Sequence, residues 1–427
     1  MLTLPMLAGM MVQTLYLFVD MIFVGMVSAD ALTALSFNLP IVFFGLGLMF
    51  GLGSGVTAVI AQFIGGNDKK NADNCAEHAV ILGIILGTLI TAAGLKWGRP
   101  LLILLGVSDD ILYLAWGYLK VLLWGYIFIV LSVFFRSVLS GEGDVKTPMI
   151  IQGSGTVLNM ILDPIFIFYL DMGVEGAALA TVISQVIVTL IFIYFLFVKE
   201  HAYITFAMKD FKFSNSIIQR IFKLGLPASF SLILMSFGSG IFNRILVTFS
   251  NDAVAAYQVG SRIDHLFIMP AISISTSLVT LVGMFYGAKR MDLVKNIIYY
   301  GMSRAAFIGF GIGVIFFIFP PQLVTMFSRD SEIIEMGAGY LRAIACSYPF
   351  IAVSMTCGRS LQGLGNAVPM LVITFLRVFL FSLVLASIFV FWMGKPVEWV
   401  WYAILTSMIA TAGIAFWWLR STLKKVI

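Results

Sequence analysis

The chain has 427 residues, 60% of them apolar and 11% charged, with a mean hydropathy of +1.03. Soluble domains carry roughly a quarter charged residues, so the composition excludes a soluble globular protein and leaves an integral membrane protein with almost no soluble part. The net charge of +5 comes from Lys and Arg scattered through short loops, with no basic stripe interleaved with aromatics, so nucleic acid is not an expected partner and the excess reads as membrane topology.

Apolar runs long enough to cross about 30 Å of hydrocarbon as helix fall near 2–27, 32–63, 78–97, 112–138, 149–170, 175–198, then 224–248, 254–286, 297–319, 335–361, 369–392 and 397–419. Hydrocarbon offers no partner to an open backbone, so runs this apolar must be helices. The expectation is an all-α membrane protein of twelve transmembrane helices: a first lobe over 1–198, a polar cytoplasmic linker over 199–223, a second lobe over 224–419 and a tail over 420–427. The first run lacks a basic leader and is too long for a signal-peptide core, so it is read as a span, with a short basic N-terminal segment expected to precede it.

The two sets of six spans are copies. At a shift of about 222 residues Leu2, Pro5, Asp30, Phe63, Gly65, Asn74, Gly117-Tyr118-Leu119 and Tyr126 meet Leu224, Pro227, Asp252, Phe285, Gly287, Asn296, Gly339-Tyr340-Leu341 and Tyr348. The shift becomes 223 where Arg136-Ser137 meets Arg359-Ser360 and Val174-Glu175 meets Val397-Glu398. Long internal repeats of membrane helices are an architectural signature of secondary transporters. The inside loops hold Lys69, Lys70, Lys146, the linker cations, Lys289, Arg290 and Lys295, and the outside loops only Lys96, Arg99, Arg329 and Lys395, if both termini are cytoplasmic. That asymmetry places the protein with both termini inside the plasma (inner) membrane, and an even number of spans per copy makes the repeats parallel.

Three carboxylates fall inside spans: Asp20, Asp163 and Asp264. Each costs about 2.5 kcal/mol or more at mid-bilayer, so each is expected to face a partner, a cavity or an ion path. Asp163 lies nine residues before the outer turn at Met172 and Thr181 nine after it, which puts both roughly 13 Å below that turn. Asn159 is one helical turn from Asp163, and Asp20 precedes its own outer turn near Ser28 by eight residues. Asp20, Asn159, Asp163 and Thr181 therefore converge in depth, an oxygen-rich set suited to a proton or to a hard cation such as Na⁺. Pro5 removes one backbone donor near the start of the first helix and is a candidate hinge. The second lobe does not repeat the set, offering Asn243, Arg244 and Asp264 as a polar site, with Asp264 open to either an ion pair with Arg244 or a role in transport.

Other chemistries are absent from the sequence. Cys75, Cys346 and Cys357 show no CxxC or zinc spacing, and there is no P-loop, HExxH or GxSxG, so no cofactor, ATPase or other enzyme activity is expected. Gly141-Glu142-Gly143-Asp144 matches the GxGD of an intramembrane protease, but its copy, Gly363-Leu364-Gly365-Asn366, lacks the acid, and both are followed by Pro148 or Pro369. That is the grammar of a helix stop.

Taken together, the two six-helix repeats, the paired segments Arg136 to Met149 and Arg359 to Met370, Asp20, Asn159-x-x-x-Asp163-Pro164, and Arg262-Ile263-Asp264 ahead of Met269-Pro270 resemble the multidrug and toxic compound extrusion (MATE) family over essentially the whole chain. The likeness is closest to the branch with archaeal and DNA-damage-inducible members. It implies a V-shaped monomeric antiporter that exports amphipathic organic cations in exchange for H⁺ or Na⁺, with Asp20, Asn159, Asp163 and Thr181 at the cation site and Pro5 at the bend of helix 1. Flippases of lipid-linked saccharides share the superfamily and are the alternative reading.

Overall fold

The computed structural model describes residues 3–199, 201–206 and 211–426, and among these every regular element is a helix. The first half contains α1 (Thr3–Val27), α2 (Ala29–Gly65), α3 (Lys69–Leu104), α4 (Asp109–Trp124), α5 (Tyr126–Glu142), α6 (Lys146–Pro164) and α7 (Gly173–Ile193). The second contains α8 (Asn215–Leu246), α9 (Asn251–Gly287), α10 (Met291–Ile318), α11 (Pro320–Thr325), α12 (Ser331–Ala345), α13 (Tyr348–Gly363), α14 (Val368–Phe375), α15 (Val384–Ser387) and α16 (Glu398–Val426).

The duplication is visible in the way helices start and stop. The Ser28 hydroxyl accepts from Ala31 N at 2.9 Å to cap α2, and its counterpart Ser250 accepts from Ala253 N at 3.0 Å to cap α9. Each satisfies an orphan donor of the first turn. Gly143 and Gly365 end α5 and α13 with φ of +95° and +93°, a left-handed conformation that glycine adopts without steric cost. The GxGD segment is thus a terminator present in both copies.

Nine described helices are long and apolar enough to span a membrane, and two bent pairs raise that to eleven; α1 occupies the first predicted run. The runs predicted as single spans over 112–138 and 335–361 are each broken, α4 from α5 by 52° and α12 from α13 by 53°. Gly125 supplies the first break, and Cys346 and Ser347, ahead of Pro349, the second. The run over 369–392 is also irregular, passing through π-helical turns at Leu376–Leu383 and Ile388–Trp392. Past Pro164, α6 likewise widens into a π turn over Ile165–Tyr169, as expected where a proline removes a backbone donor.

Exposed side chains are apolar to a degree that water would not support: Trp392 is 90% exposed and Leu104 82%, with Phe307, Phe310 and Trp417 also on the surface. Such surface needs lipid around it. The chain divides into two compact units, one ending at Phe222 and the other beginning at Lys223. Each has its own core, around Val24, Leu35, Leu122 and Ile167 in the first and around Ile245, Leu341, Ala352 and Trp401 in the second.

The described linker residues pack on the first unit. Ile204 N donates to Glu142 Oε2 at 3.2 Å, Thr205 N to Asp73 Oδ1 at 3.0 Å and Ser214 N to His78 Nε2 at 2.9 Å. His201 stands 3.4 Å from Asp144. From Asn215 the polar stretch is already α8, where Arg220 donates to Gln62 Oε1 at 2.7 Å and lies over the Phe63 ring. Lys209 lies outside the described residues.

Candidate functional site

The first-unit site is built by three helices. α1 carries Asp20, α6 carries Asn159 and Asp163 one turn apart, and α7 carries Thr181; α1 and α7 both pack against α6. Asp163 is fully buried, Asp20 and Asn159 nearly so, and Thr181 is half-buried. Asn159 Nδ2 donates to Asp163 Oδ1 at 3.4 Å and to Thr181 Oγ1 at 3.5 Å. Both bonds are long, close to the limit beyond which a contact no longer counts as one.

The oxygens left over define the chemistry. Asp20 Oδ1, Asn159 Oδ1 and Asp163 Oδ2 are buried and have no hydrogen-bond partner. Ten buried side-chain atoms lack a partner among the described residues, and three of them gather here on facing helices; buried polar groups in folded proteins are generally satisfied, so the cluster needs an explanation. Asp20 is near enough for its charge to act on Asp163. No Lys, Arg or His forms an ion pair with either acid among the described residues. Two carboxylates, an amide and a hydroxyl thus stand together with more acceptors than donors.

Pro5 lies near the start of the described part of α1, which runs as one helix from Thr3 to Val27.

The second-unit residues do not form one site. Asn243 Oδ1 accepts from Gln258 Nε2 at 3.1 Å, which ties α8 to α9. Arg244 is exposed and makes no ion pair with Asp264. The Asp264–Arg244 ion pair, one of the two readings left open, does not form: Tyr340 Oη donates to Asp264 Oδ2 at 2.5 Å and Tyr348 Oη donates to Oδ1. Two phenols inside the core satisfy the carboxylate without importing a second charge. Sequence reasoning missed these tyrosines as partners, although both stood out as positions repeated at Tyr118 and Tyr126.

Two compact units of duplicated membrane helices, with unpaired acids between helices of one of them, define a membrane protein of the secondary-transporter class. The chain belongs to the MatE family, whose sequence profile matches it twice, over residues 5–165 and 227–388. It is 29% identical over 427 residues to the probable multidrug resistance protein NorM of Thermotoga maritima, covering 99% of this chain and 90% of that one. It is 28% identical over 377 residues to the multidrug export protein MepA of Staphylococcus aureus, covering 85% and 80%. Among solved structures, a MOP superfamily transporter from Pyrococcus furiosus superposes with a TM-score of 0.95 at 32% identity, over 100% of this chain and 95% of that one. A MATE crystal structure in the straight conformation superposes with a TM-score of 0.96 at 32% identity, over 100% and 95%.

Proposed function

We propose that the protein is a secondary active multidrug efflux antiporter that exports amphipathic organic cations in exchange for H⁺ or Na⁺, with Asp20, Asn159, Asp163 and Thr181 as the coupling site. The observation that carries this reading is the surplus of acceptors there: among the described residues three buried oxygens lack partners and two acids lack counterions. A proton supplies the missing donor, and Na⁺ supplies a charge that oxygen ligands coordinate. The named relatives, multidrug resistance and export proteins, support the cargo class.

Coupling follows from the cost of leaving both acids ionised. An empty site holds two like charges in the membrane interior, each costing about 2.5 kcal/mol or more. Cation binding removes that penalty and lets α1, α6 and α7 pack more closely, while cargo favours the arrangement in which the acids are free. The two ligands then oppose each other through the same equilibrium. Pro5 is the point about which we propose α1 to tilt, carrying Asp20 relative to α6. The working unit is a single chain in the plasma membrane, with termini and linker cytoplasmic.

Dye efflux from proteoliposomes under separately imposed pH and Na⁺ gradients tests this. Efflux driven by one gradient and lost in Asp163→Asn supports it. Gradient-independent movement of a lipid-linked saccharide, with no efflux of organic cations, would select the flippase reading instead.

A further inference from the structure

Of the three acids that the sequence places inside spans, Asp264 is the one that the first-unit site does not use. It is 7% exposed on α9, and its two oxygens take hydrogen bonds from two different helices: Tyr340 belongs to α12, and Tyr348 is the first residue of α13. These helices are the two arms of the span bent by 53°. One carboxylate therefore holds both sides of a break. Around it Tyr257, Tyr340 and Trp401 form an aromatic wall, with Tyr257 stacked on Trp401 at 7° and Tyr340 edge-on to Trp401 at 5.1 Å.

The first unit shows what the same scaffold does without the acid. Tyr118 and Tyr126 occupy the places of Tyr340 and Tyr348, the break there is 52°, and the position matching Asp264 at the 222-residue shift is Val42. There the buried Tyr126 hydroxyl has no hydrogen-bond partner and abuts Gly45, where an added Cβ would stand 2.0 Å from it. The bend therefore forms with no carboxylate to hold it. An acid inside the span that is not needed to shape it, and that costs free energy to bury, has another use.

We propose that Asp264 is a second proton-binding group, ionised when it clasps both arms of the α12–α13 break and releasing one arm when protonated. The hydrogen-bond inventory points the same way. An ionised carboxylate accepts strongly from both phenols, whereas a protonated one carries an O–H that competes with one of them and leaves a weaker acceptor, so the clasp on one arm loosens. The groups that face Asp264 are Tyr340 from α12, Tyr348 from α13 and Tyr257 from its own helix. No cation on an element packed against α9 pairs with it: Arg304 of α10 lies over Tyr300, Arg342 of α12 is exposed, and Arg359 of α13 donates to Gln362. Arg262 and His265 on α9 itself are exposed, Glu332 and Glu335 stand at the exposed start of α12, and α11 carries no charge. The proton site stands on its own geometry; only its use in the exchange cycle rests on the antiporter reading.

Infrared difference spectra of the full chain in lipid nanodiscs, between roughly pH 5 and pH 9, read protonated carboxyl groups directly. The expected result is a carboxyl band that Asp264→Asn removes and that the Asp20→Asn/Asp163→Asn double variant keeps. Tyr348→Phe, which retains the acid and removes one donor, should keep that band and move its frequency. Wild-type and Asp264→Asn spectra that coincide would overturn the proposal. So would a Tyr348→Phe band unmoved from wild type, which also serves should Asp264→Asn fail to fold. Loss of efflux in the double variant with the Asp264 band intact bears on the first-unit site alone, so the two readings fail separately.

Discussion

Replacing Asp163 by Asn should separate transport from stability, because the two depend on its charge with opposite sign. The side chain is fully buried, and among the described residues its Oδ2 has no partner and no cation pairs with it. The amide keeps the volume and removes a charge that costs about 2.5 to 3.5 kcal/mol inside a bilayer. Its NH2 brings two N–H donors, one of which the surplus acceptors beside it can take while the other stays unpaired, and that returns about 1 to 2 kcal/mol of the gain. The net is about 0.5 to 2.5 kcal/mol in favour of the variant at alkaline pH, where the wild-type acid is ionised. For a unit of this size that raises the unfolding midpoint by about 1 to 10 °C. The advantage should vanish at acidic pH, where the wild-type carboxyl is itself neutral. Coupled efflux should fall to the level of passive leak. Thermal unfolding by intrinsic fluorescence in detergent at both pH values, beside dye efflux on the same preparation, reads both effects. A variant that is destabilised at alkaline pH, or that still pumps against a gradient, would refute the reasoning.

Asp20→Asn should abolish coupling as well, and the double variant should lose no more than either single one, since two acids acting as one unit give strongly non-additive effects; additive losses in the efflux rate would argue for separate roles. In wild type, if one proton competes with one cargo, affinity for a permanently charged cation should fall about tenfold for each unit by which the pH is lowered once the site takes up its proton, and titration by fluorescence quenching should show that slope flattened in Asp163→Asn. Gly87→Ala should destabilise the first unit by about 1 to 3 kcal/mol, because an added Cβ would lie 2.7 Å from Ile127 Cα and force α3 from α5; an unchanged unfolding midpoint would contradict that. Reporters fused at the C-terminus and inserted near Lys209 should both read as cytoplasmic, as the distribution of Lys and Arg requires.

Much of the molecule was legible because membrane helices announce themselves by length and because the chain repeats its own grammar. The positions of α2 and α9 and the paired glycine stops follow from residues matched across the shift. Asn159 and Asp163 share a face by spacing, and Thr181 lies at their depth by counting from the Met172 turn. What stayed hidden were directions around the helix axis. Hydropathy says how deep a residue sits and nothing of which neighbour it faces, so Asp264 was offered to Arg244, nearby in sequence, when its donors lie 76 and 84 residues away. The breaks at Gly125 and before Tyr348 were hidden for a related reason: the apolar run continues through each, and a window that sums hydropathy passes over a bend. The π turns past Pro164 and around Ser387 leave no compositional trace either.

The contrast between Val42 and Asp264 has a consequence for the history of such a chain. A freshly duplicated ancestor would carry the same side chains in both halves, and any acid useful in one would burden the other. Here the backbone has been inherited faithfully down to its caps and breaks, while the ionisable residues have been parcelled out, a pair to one half and a single acid to the other. Mutation in either copy can then retune one ionic function without touching its sibling. A gene joining two copies of the same half would keep the scaffold and lack half of the chemistry.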